Sequence, residues 1–442
     1  MRSSRARHLL ACYTAAVVAW ADIARALSPR RNLRQIVERP PQTTHLAPLD
    51  GVRALSVLWV MLFHAGWYTS FSWPIETYVR LLHTPWMLPV WRGDFGVDVF
   101  FVLSGFLIGG LLMGELKDKG RIRVGHFYLR RLMRLWPALF VVVVFEWAFA
   151  HPAMPSPEHP IWPNLLYINN FFSLRDVRMA WTWSLAIEEQ FYLVVPWLLL
   201  ALYYRERRIA EGWRVTVGGL LLVGLALALL IGVVVTAYDL HAHHSEIVVT
   251  RDIEAWIREY DLLYSKPWMR AGPLLAGLLA ARLYRVEGFM ARVGRSGAVG
   301  VLILLGAIVL AMLATHWPLV AHAPRPLEVL YLSSFRLLFG VGVAVILLYA
   351  LSAHRIGAFL GKWLSAPQLY PIAQLAYAAY LLNPIIATAS HRAFSPVAAG
   401  PSFTFLVLAF VDIPVTLAAA LVVSLLVERP FMNLRALWVP SR

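Results

Sequence analysis

Cysteine is almost absent from this chain of 442 residues. The single cysteine, Cys12, excludes an intramolecular disulfide framework and a cysteine-based metal cluster. Charged residues are also scarce, at 15% of the chain, and the 25 acidic residues are outnumbered by 40 basic ones. The resulting net charge of +15 raises the question of nucleic-acid binding. Because the sequence contains no basic soluble domain, we expect no nucleic-acid partner.

Apolar residues are abundant instead. They make up 59% of the chain, and the mean hydropathy is +0.62, far above what a soluble protein of this length shows. A bilayer-crossing helix needs about 20 mostly apolar residues. We therefore predict an all-α, polytopic integral membrane bundle of about ten transmembrane helices. They lie near residues 50–68, 94–113, 128–149, 183–203, 215–237, 268–285, 298–316, 329–351, 369–389 and 403–427.

The distribution of lysine and arginine predicts the orientation. If the N-terminus is cytoplasmic, 28 of the 40 basic residues lie in cytoplasmic segments and 11 lie opposite. This positive-inside bias predicts that both termini are cytoplasmic. We expect residues 1–45 to be a basic cytoplasmic or membrane-surface extension, residues 46–430 to be the transmembrane domain, and residues 431–442 to be a short cytoplasmic tail.

The stretch LDGVRALSVLWVMLFHAG, residues 49–66, reads as a membrane helix with two ionisable side chains, Arg53 and His64. They are eleven residues apart, about three helical turns, so both share one face roughly 16 Å apart along the axis. Ionisable groups inside a bilayer are costly and usually face a bundle interior or a watery cavity. The stretch therefore predicts a polar cavity beside this helix.

Three further spans carry charged side chains. RGDFGVDVFF places Asp98 near the outer end of the second span. FYLRRLMRLWPA places Arg131 and Arg134 on one face at the start of the third, where they suit either phosphate binding or membrane anchoring. WSLAIEEQFYL places Glu188 and Glu189 inside the fourth, where adjacent carboxylates serve either chemistry or a buried ion pair.

The run HAHHSE, residues 241–246, is a cluster of potential metal ligands. No second set of ligands stands at a useful spacing from it. We interpret the run as an exposed loop and predict no metal site.

Four motifs in this order resemble those of the membrane-bound acyltransferase-3 family, the integral membrane acyltransferases of O-acetyltransferase type. They are LDGVRALSVLWVMLFHA, FGVDVFFVLSGFLI, FYLRRLMRLWPA and WSLAIEEQFYLVVPWLL, and PWMRAGPLLAGLLAA is similar to a later segment of the family. The resemblance covers most of residues 46–430. One position departs from it: a Tyr-Leu-x-His-Pro pattern is common in the family, whereas this sequence reads YAAYLLNPII, with Asn383 in place of histidine.

The resemblance implies transfer of an acyl group, often acetyl, from cytoplasmic acyl-CoA to a hydroxyl of a carbohydrate or glycan acceptor. His64 would act either as a general base or as a transient acyl carrier. Arg53, Arg131 and Arg134 would bind the phosphates of CoA or steady the thioester. Acyl-CoA is then a donor substrate, and we expect no permanently bound cofactor.

Other side chains would support this chemistry. We expect Glu188, Glu189 or Asp98 to orient His64 or the acceptor. We expect Ser184 and Asn383 to contact the substrate or to support the site, since asparagine can still hydrogen-bond an acceptor.

The resemblance also implies that the protein is a multi-pass protein of the bacterial inner membrane. The lipid bilayer is then one of its partners. In some relatives a hydrolase-like domain follows the last span, and this sequence shows none there. We therefore expect that an acyl relay through such a domain would need a membrane or periplasmic protein partner.

Three other classes of protein compete with this interpretation. A secondary transporter or exporter of a small anionic or sugar-like substrate also keeps charges inside its spans, but no inverted repeat stands out. A lipid-linked glycosyltransferase would usually have larger outer loops that bear carboxylates. A non-catalytic scaffold would not need Arg53, His64 and two glutamates within its spans.

Overall fold

The computed structural model describes most of the chain. The described residues are 20, 22–70, 87–149, 159–207, 213–239, 253–315, 324–394 and 401–438, with six positions between 73 and 84. Within these ranges the secondary structure is helical and contains no strand, as the apolar windows predict. The HAHHSE run lies outside the described residues.

Thirteen helices of nine residues or more make up the described bundle. They are α1 (Pro29–Val37), α2 (Ala47–Ser70), α3 (Phe95–Lys119), α4 (Val124–Phe149), α5 (Trp183–Arg207), α6 (Trp213–Asp239), α7 (Pro267–Tyr284), α8 (Gly297–Thr315), α9 (Arg325–Ala350), α10 (Arg355–Leu364), α11 (Leu369–Phe394), α12 (Pro401–Val423) and α13 (Arg429–Trp438).

Seven segments of the described chain are long and apolar enough to cross a membrane. They include α2, α3, α8, α9 and α11, and on α8 large side chains such as Leu302 and Met312 are mostly exposed. Such a face is stable in lipid rather than in water, so the chain is a multi-pass integral membrane protein. Three further predicted spans are also helical, as α4, α6 and α7, and the total of about ten and the orientation of the termini stay predictions.

The centre of the bundle depends on one close helix contact, between α3 and α7. A Cβ atom added at Gly105 would lie 2.0 Å from the backbone oxygen of Leu274, and one added at Gly277 would lie 2.1 Å from that of Val102. Only glycine allows two backbones to approach so closely. This contact holds the two helices whose other residues form the walls of the site.

Helix α2 packs against α3, α11 and α12, so its polar residues face the bundle interior. Arg53 and His64 lie towards its opposite ends, and we name the two ends of the bundle after them.

The two terminal helices meet at the Arg53 end. Asn32 of α1 is fully buried, and its side-chain amide donates to the backbone oxygen of Leu425. Asn433 of α13 donates to Asn32 Oδ1 at 2.8 Å. Residues 29–37, which we predicted to belong to an N-terminal extension, therefore pack on the C-terminal helix of the bundle.

Candidate active site

Two cavities of similar size lie at the two ends of helix α2. The cavity at the Arg53 end has a volume of about 350 Å³, and the cavity at the His64 end has a volume of about 360 Å³. Both volumes are typical of small-molecule sites. We call them the arginine cavity and the aromatic cavity after the side chains that line them.

The arginine cavity is lined by four arginines, Arg53, Arg131, Arg134 and Arg429. The charge of Arg53 is balanced by Asp50, whose Oδ1 atom lies 3.5 Å from Arg53 Nη1. The guanidinium of Arg131 lies over the ring of Tyr192, and within the described chain neither Arg131 nor Arg134 pairs with a carboxylate. Guanidinium groups left open in a concave site are ready to bind an anion such as phosphate.

Glu188 is held in the wall of the arginine cavity by two hydroxyl groups. Ser104 donates to Glu188 Oε1 at 2.7 Å, and Tyr192 donates to Oε2 at 3.3 Å. Its neighbour Glu189 points elsewhere and does not line either cavity. Glu189 Oε1 is buried without a hydrogen-bond partner among the described atoms. The structure thus separates the two adjacent carboxylates, which the sequence could not do.

The aromatic cavity has His64 in its wall, and a continuous arc of rings runs from it. The arc passes through Phe63, Trp67, Trp256, Tyr260, Tyr264 and Trp183, with successive ring centroids 5.1–6.0 Å apart. Burial raises the pKa of Tyr260 and of Tyr264, which precede α7. Both phenols therefore stay protonated at neutral pH, and the Tyr260 hydroxyl donates its hydrogen bond to the backbone oxygen of Ala180 at 3.1 Å.

His64 is positioned by Asn383 on α11. The His64 Nδ1 atom lies 2.7 Å from Asn383 Oδ1, and the Asn383 amide nitrogen faces Thr416 Oγ1 at 3.4 Å. With the amide in this orientation its oxygen can only accept, so Nδ1 of His64 carries the proton and donates. The Nε2 atom of the neutral ring is then unprotonated, which is the form that a general base requires.

Asp98 is committed to an ion-pair cluster behind the aromatic cavity. Its carboxylate pairs with Arg270 at 3.0–3.1 Å and also with Arg336, which pairs in turn with Asp94 at 2.7 Å. Arg270 and Asp98 are fully buried. The Arg270 guanidinium also lies against the rings of Trp183 and Tyr264, 4.5 and 4.4 Å from their centroids.

A thin partition separates the two cavities. Tyr380 of α11 donates to the backbone oxygen of Trp181, and Ser184 Oγ lies 2.6 Å from the Tyr380 hydroxyl. Ser184 and Tyr380 line the arginine cavity, whereas Trp181 lines the aromatic one. The loop that carries Trp181 is held by Asn164, whose amide donates to two backbone oxygens and to a threonine of the same loop.

The predicted site residues are thus divided between two places. Arg53, Arg131, Arg134, Ser184 and Glu188 line the arginine cavity. His64 lines the aromatic cavity, and the hydrogen bond it makes goes to Asn383, rather than to Glu188, Glu189 or Asp98. Their roles in catalysis stay predictions.

Sequence reasoning missed several residues of the site, notably Arg429, Tyr380 and Arg336. Arg336 had a visible signal, since it is an arginine within an apolar run. Tyr380 also had one, since it is the tyrosine that precedes Asn383 in the YAAYLLNPII stretch. Arg429 had none, because only the packing of the start of α13 brings it to the arginine cavity. Among the residues that the structure describes, no group of three or more potential ligands could hold a metal ion.

Comparison with known proteins matches this chain over most of its length to one family. Residues 46–429 match the family model described as an acyltransferase domain, that of the acyltransferase-3 family. A predicted O-acetyltransferase of Staphylococcus aureus (strain COL) is 30% identical over 223 residues, which cover 47% of this chain and 32% of that protein.

Two other relatives are similar over parts of the chain. Peptidoglycan O-acetyltransferase OatA of Listeria monocytogenes serovar 1/2a is 33% identical over 172 residues, 35% of this chain and 24% of that protein. Nose resistant to fluoxetine protein 6 of Caenorhabditis elegans is 26% identical over 295 residues, 58% of this chain and 34% of that protein. The matches therefore span no more than 34% of any of these three relatives. No solved structure matches the chain.

Proposed function

The chain belongs to the acyltransferase-3 family, and we propose that it is an O-acyltransferase that moves an acetyl group from acetyl-CoA to a hydroxyl of a glycan. One observation carries this proposal: open arginines line a cavity at one end of helix α2, and a histidine in an aromatic cavity lies at the other. These two cavities suit a phosphate-bearing donor and a sugar acceptor, respectively.

The donor would bind at the arginine cavity. Coenzyme A carries several phosphate oxygens, and guanidinium groups bind such oxygens in bidentate pairs. Arg131 and Arg134 are free of carboxylate partners within the described chain, so binding a phosphate breaks no existing ion pair. We propose that this end faces the cytoplasm, where acyl-CoA is present, in keeping with the positive-inside bias.

The acceptor hydroxyl would be activated at His64. The hydrogen bond to Asn383 leaves Nε2 free to take the hydroxyl proton while the acceptor oxygen attacks the thioester carbon. The thiolate of CoA leaves, and the protonated imidazole supplies the proton that it requires. The alternative, in which His64 carries the acyl group, uses the same lone pair and is also open.

The two substrates would meet at the partition. The thioester lies at the end of a long flexible arm of coenzyme A, whose phosphates lie at the other end. We propose that this arm passes between Ser184 and Tyr380 and delivers the acyl group towards His64. Opening this passage would break the hydrogen bond between Ser184 and Tyr380.

We propose the bacterial inner membrane as the location, because two of the relatives above are bacterial acetyltransferases by name. The same match covers 47% of this chain and 32% of the first relative, which is therefore about one and a half times as long. We propose that a further protein or domain passes the acyl group on. The transporter alternative has no support in the matched family.

Acetyl transfer from radiolabelled acetyl-CoA by membranes that contain the protein tests this proposal. Label should enter a glycan fraction with the wild type, and His64→Ala should reduce transfer by about 10²- to 10⁴-fold, the usual contribution of a general base. His126→Ala is the matched control, because His126 is exposed at the start of α4 and lines neither cavity.

Two results would contradict the proposal. One is transfer by His64→Ala at the wild-type rate in membranes that contain equal amounts of protein. The other is the absence of labelled glycan with every acyl-CoA of a panel that runs from acetyl to succinyl and longer chains.

A further inference from the structure

The side-chain amide of Gln374 in the wall of the arginine cavity has a free donor. Gln374 lies near the start of α11, and its Oε1 atom accepts a hydrogen bond from Arg429 Nη2 at 2.7 Å. A guanidinium can only donate, so the amide is fixed with its oxygen towards Arg429. The Nε2 atom makes no hydrogen bond within the described chain and stays accessible. Gln374 therefore offers N–H groups to a ligand in the cavity.

The other uncharged side-chain donors of this wall are hydroxyl groups, and each already has an acceptor. They belong to Ser104, Ser184, Tyr192, Tyr377 and Tyr380. Two of them donate to the carboxylate of Glu188, and two donate to the backbone oxygens of Leu135 and Trp181. The last, Ser184, is left to donate to the Tyr380 hydroxyl. Within the described wall, the Gln374 amide is thus the uncharged donor that a ligand reaches without displacing an existing hydrogen bond.

This donor suits a carbonyl oxygen of the ligand rather than a phosphate. The arginines of the same cavity bind phosphate oxygens more strongly than a neutral amide does. A coenzyme A whose phosphates are held by those arginines still has its arm to place. The arm contains two amide groups, and their carbonyl oxygens need donors when they leave water.

The position of Gln374 along α11 selects one of the two amides. Gln374 lies six residues before Tyr380 of the partition, about 9 Å along the helix axis. An extended chain advances roughly 1.25 Å per bond, because it covers about 3.8 Å in three bonds. The nearer amide carbonyl is four bonds from the sulfur of the arm, about 5 Å, and the farther one is eight bonds away, about 10 Å. With the sulfur beside Tyr380, the farther carbonyl therefore lies at the level of Gln374.

We propose that Gln374 recognises the arm of the donor, and that its Nε2 atom donates to the carbonyl of the amide farther from the sulfur. The inference rests on the proposed function, because it assumes that the arginine cavity holds acyl-CoA. It adds a residue that selects the donor by its arm, independently of its phosphates.

Displacement of radiolabelled coenzyme A from the purified full-length protein, without any acceptor, tests the inference. The competitors are two phosphate-free thiols: pantetheine, which has both amides, and N-acetylcysteamine, which has only the nearer one. Gln374→Glu keeps an oxygen for Arg429 and removes the N–H groups. It should weaken the binding of pantetheine by about fivefold, the usual effect of one neutral hydrogen bond, and leave that of N-acetylcysteamine within about twofold. Each inhibition constant is corrected for the variant's own affinity for coenzyme A.

Two further variants separate the loss of the donor from other effects. Gln368→Glu is the matched control, because it adds the same charge at an exposed position just before α11 that does not line the cavity. It should bind pantetheine like the wild type. Gln374→Leu removes the donor without adding a charge and should weaken pantetheine as much as Gln374→Glu does. A melting curve for each variant shows that it is folded.

Three outcomes overturn the inference: pantetheine that binds Gln374→Glu as tightly as the wild type, N-acetylcysteamine that is weakened as much as pantetheine, or pantetheine that does not displace coenzyme A. None of these depends on acetyl transfer. A chain that transfers acetyl groups but binds pantetheine equally with and without the Gln374 amide keeps the proposed function and loses this inference. A chain that loses pantetheine affinity in Gln374→Glu but transfers no acetyl group keeps the contact with the arm and loses the proposed function.

Discussion

The arginine cavity and the aromatic cavity are nearly equal in volume, yet they hold their charges in opposite ways. At the arginine cavity, Arg131 and Arg134 are open, and Glu188 is bound to hydroxyl groups rather than to an arginine. Arg336 in the wall of the aromatic cavity and Arg270 behind it are bound to aspartates. Paired arginines build a rigid wall, whereas open arginines are available to a ligand.

The largest expected effect concerns the paired arginines. Asp98→Asn should lower the free energy of unfolding by about 3–5 kcal/mol, because two buried guanidinium groups lose their shared carboxylate. Thermal melting of the purified protein measures this loss. Asp118→Asn, an exposed site on the same helix, should melt like the wild type. Equal melting of both variants would show that the cluster is not structural.

The second prediction concerns the positioning of His64. Asn383→Leu should lower kcat by about 100-fold, the lower limit of what a general base contributes, because Nδ1 loses the partner that fixes its proton. Asn383→His keeps a hydrogen-bonding side chain and should retain most of the activity. The values of kcat from steady-state kinetics decide, and an unchanged kcat in Asn383→Leu would remove the role we assign to this hydrogen bond.

The third prediction separates the cavities by substrate. Arg131→Gln should raise the KM for the acyl-CoA donor by about tenfold through loss of a charge-assisted contact and should leave the KM for the acceptor unchanged. Arg130→Gln is the control, because the adjacent arginine does not line the cavity. A larger effect on the acceptor KM than on the donor KM would reverse our assignment of the two cavities.

The smallest expected effect is the converse of the third prediction, because it concerns the KM for the acceptor rather than for the donor. Trp256→Ala should raise the acceptor KM by about fivefold, the usual value of one aromatic contact, with the donor KM unchanged. Trp256→Phe should be close to the wild type, because it keeps a ring in the arc. Trp136→Ala, at a partly exposed ring on α4, controls for loss of a tryptophan as such. Parallel shifts of both KM values in Trp256→Ala would count against a separate acceptor cavity.

The sequence alone determined the class of fold and the helices that carry the site. Long apolar runs cannot pack in water, so the multi-pass helical architecture followed from composition, and the spacing of Arg53 and His64 predicted a polar cavity beside α2. The family followed from four ordered motifs, and the family model confirms it over residues 46–429.

Only the tertiary structure decided which side chains share a cavity. Glu188 and Glu189 are adjacent in the chain, but a helix turns neighbouring residues by about 100°, so one lines a cavity and the other does not. Asn383 and His64 are 319 positions apart, and only the packing of α11 on α2 brings them within 2.7 Å. The sequence made Asp98 a candidate for orienting His64 or the acceptor. The arginines that neutralise its carboxylate come from α7 and α9, which are distant in the chain. Local sequence specifies a helix, but contacts between distant helices specify the partner of each charge.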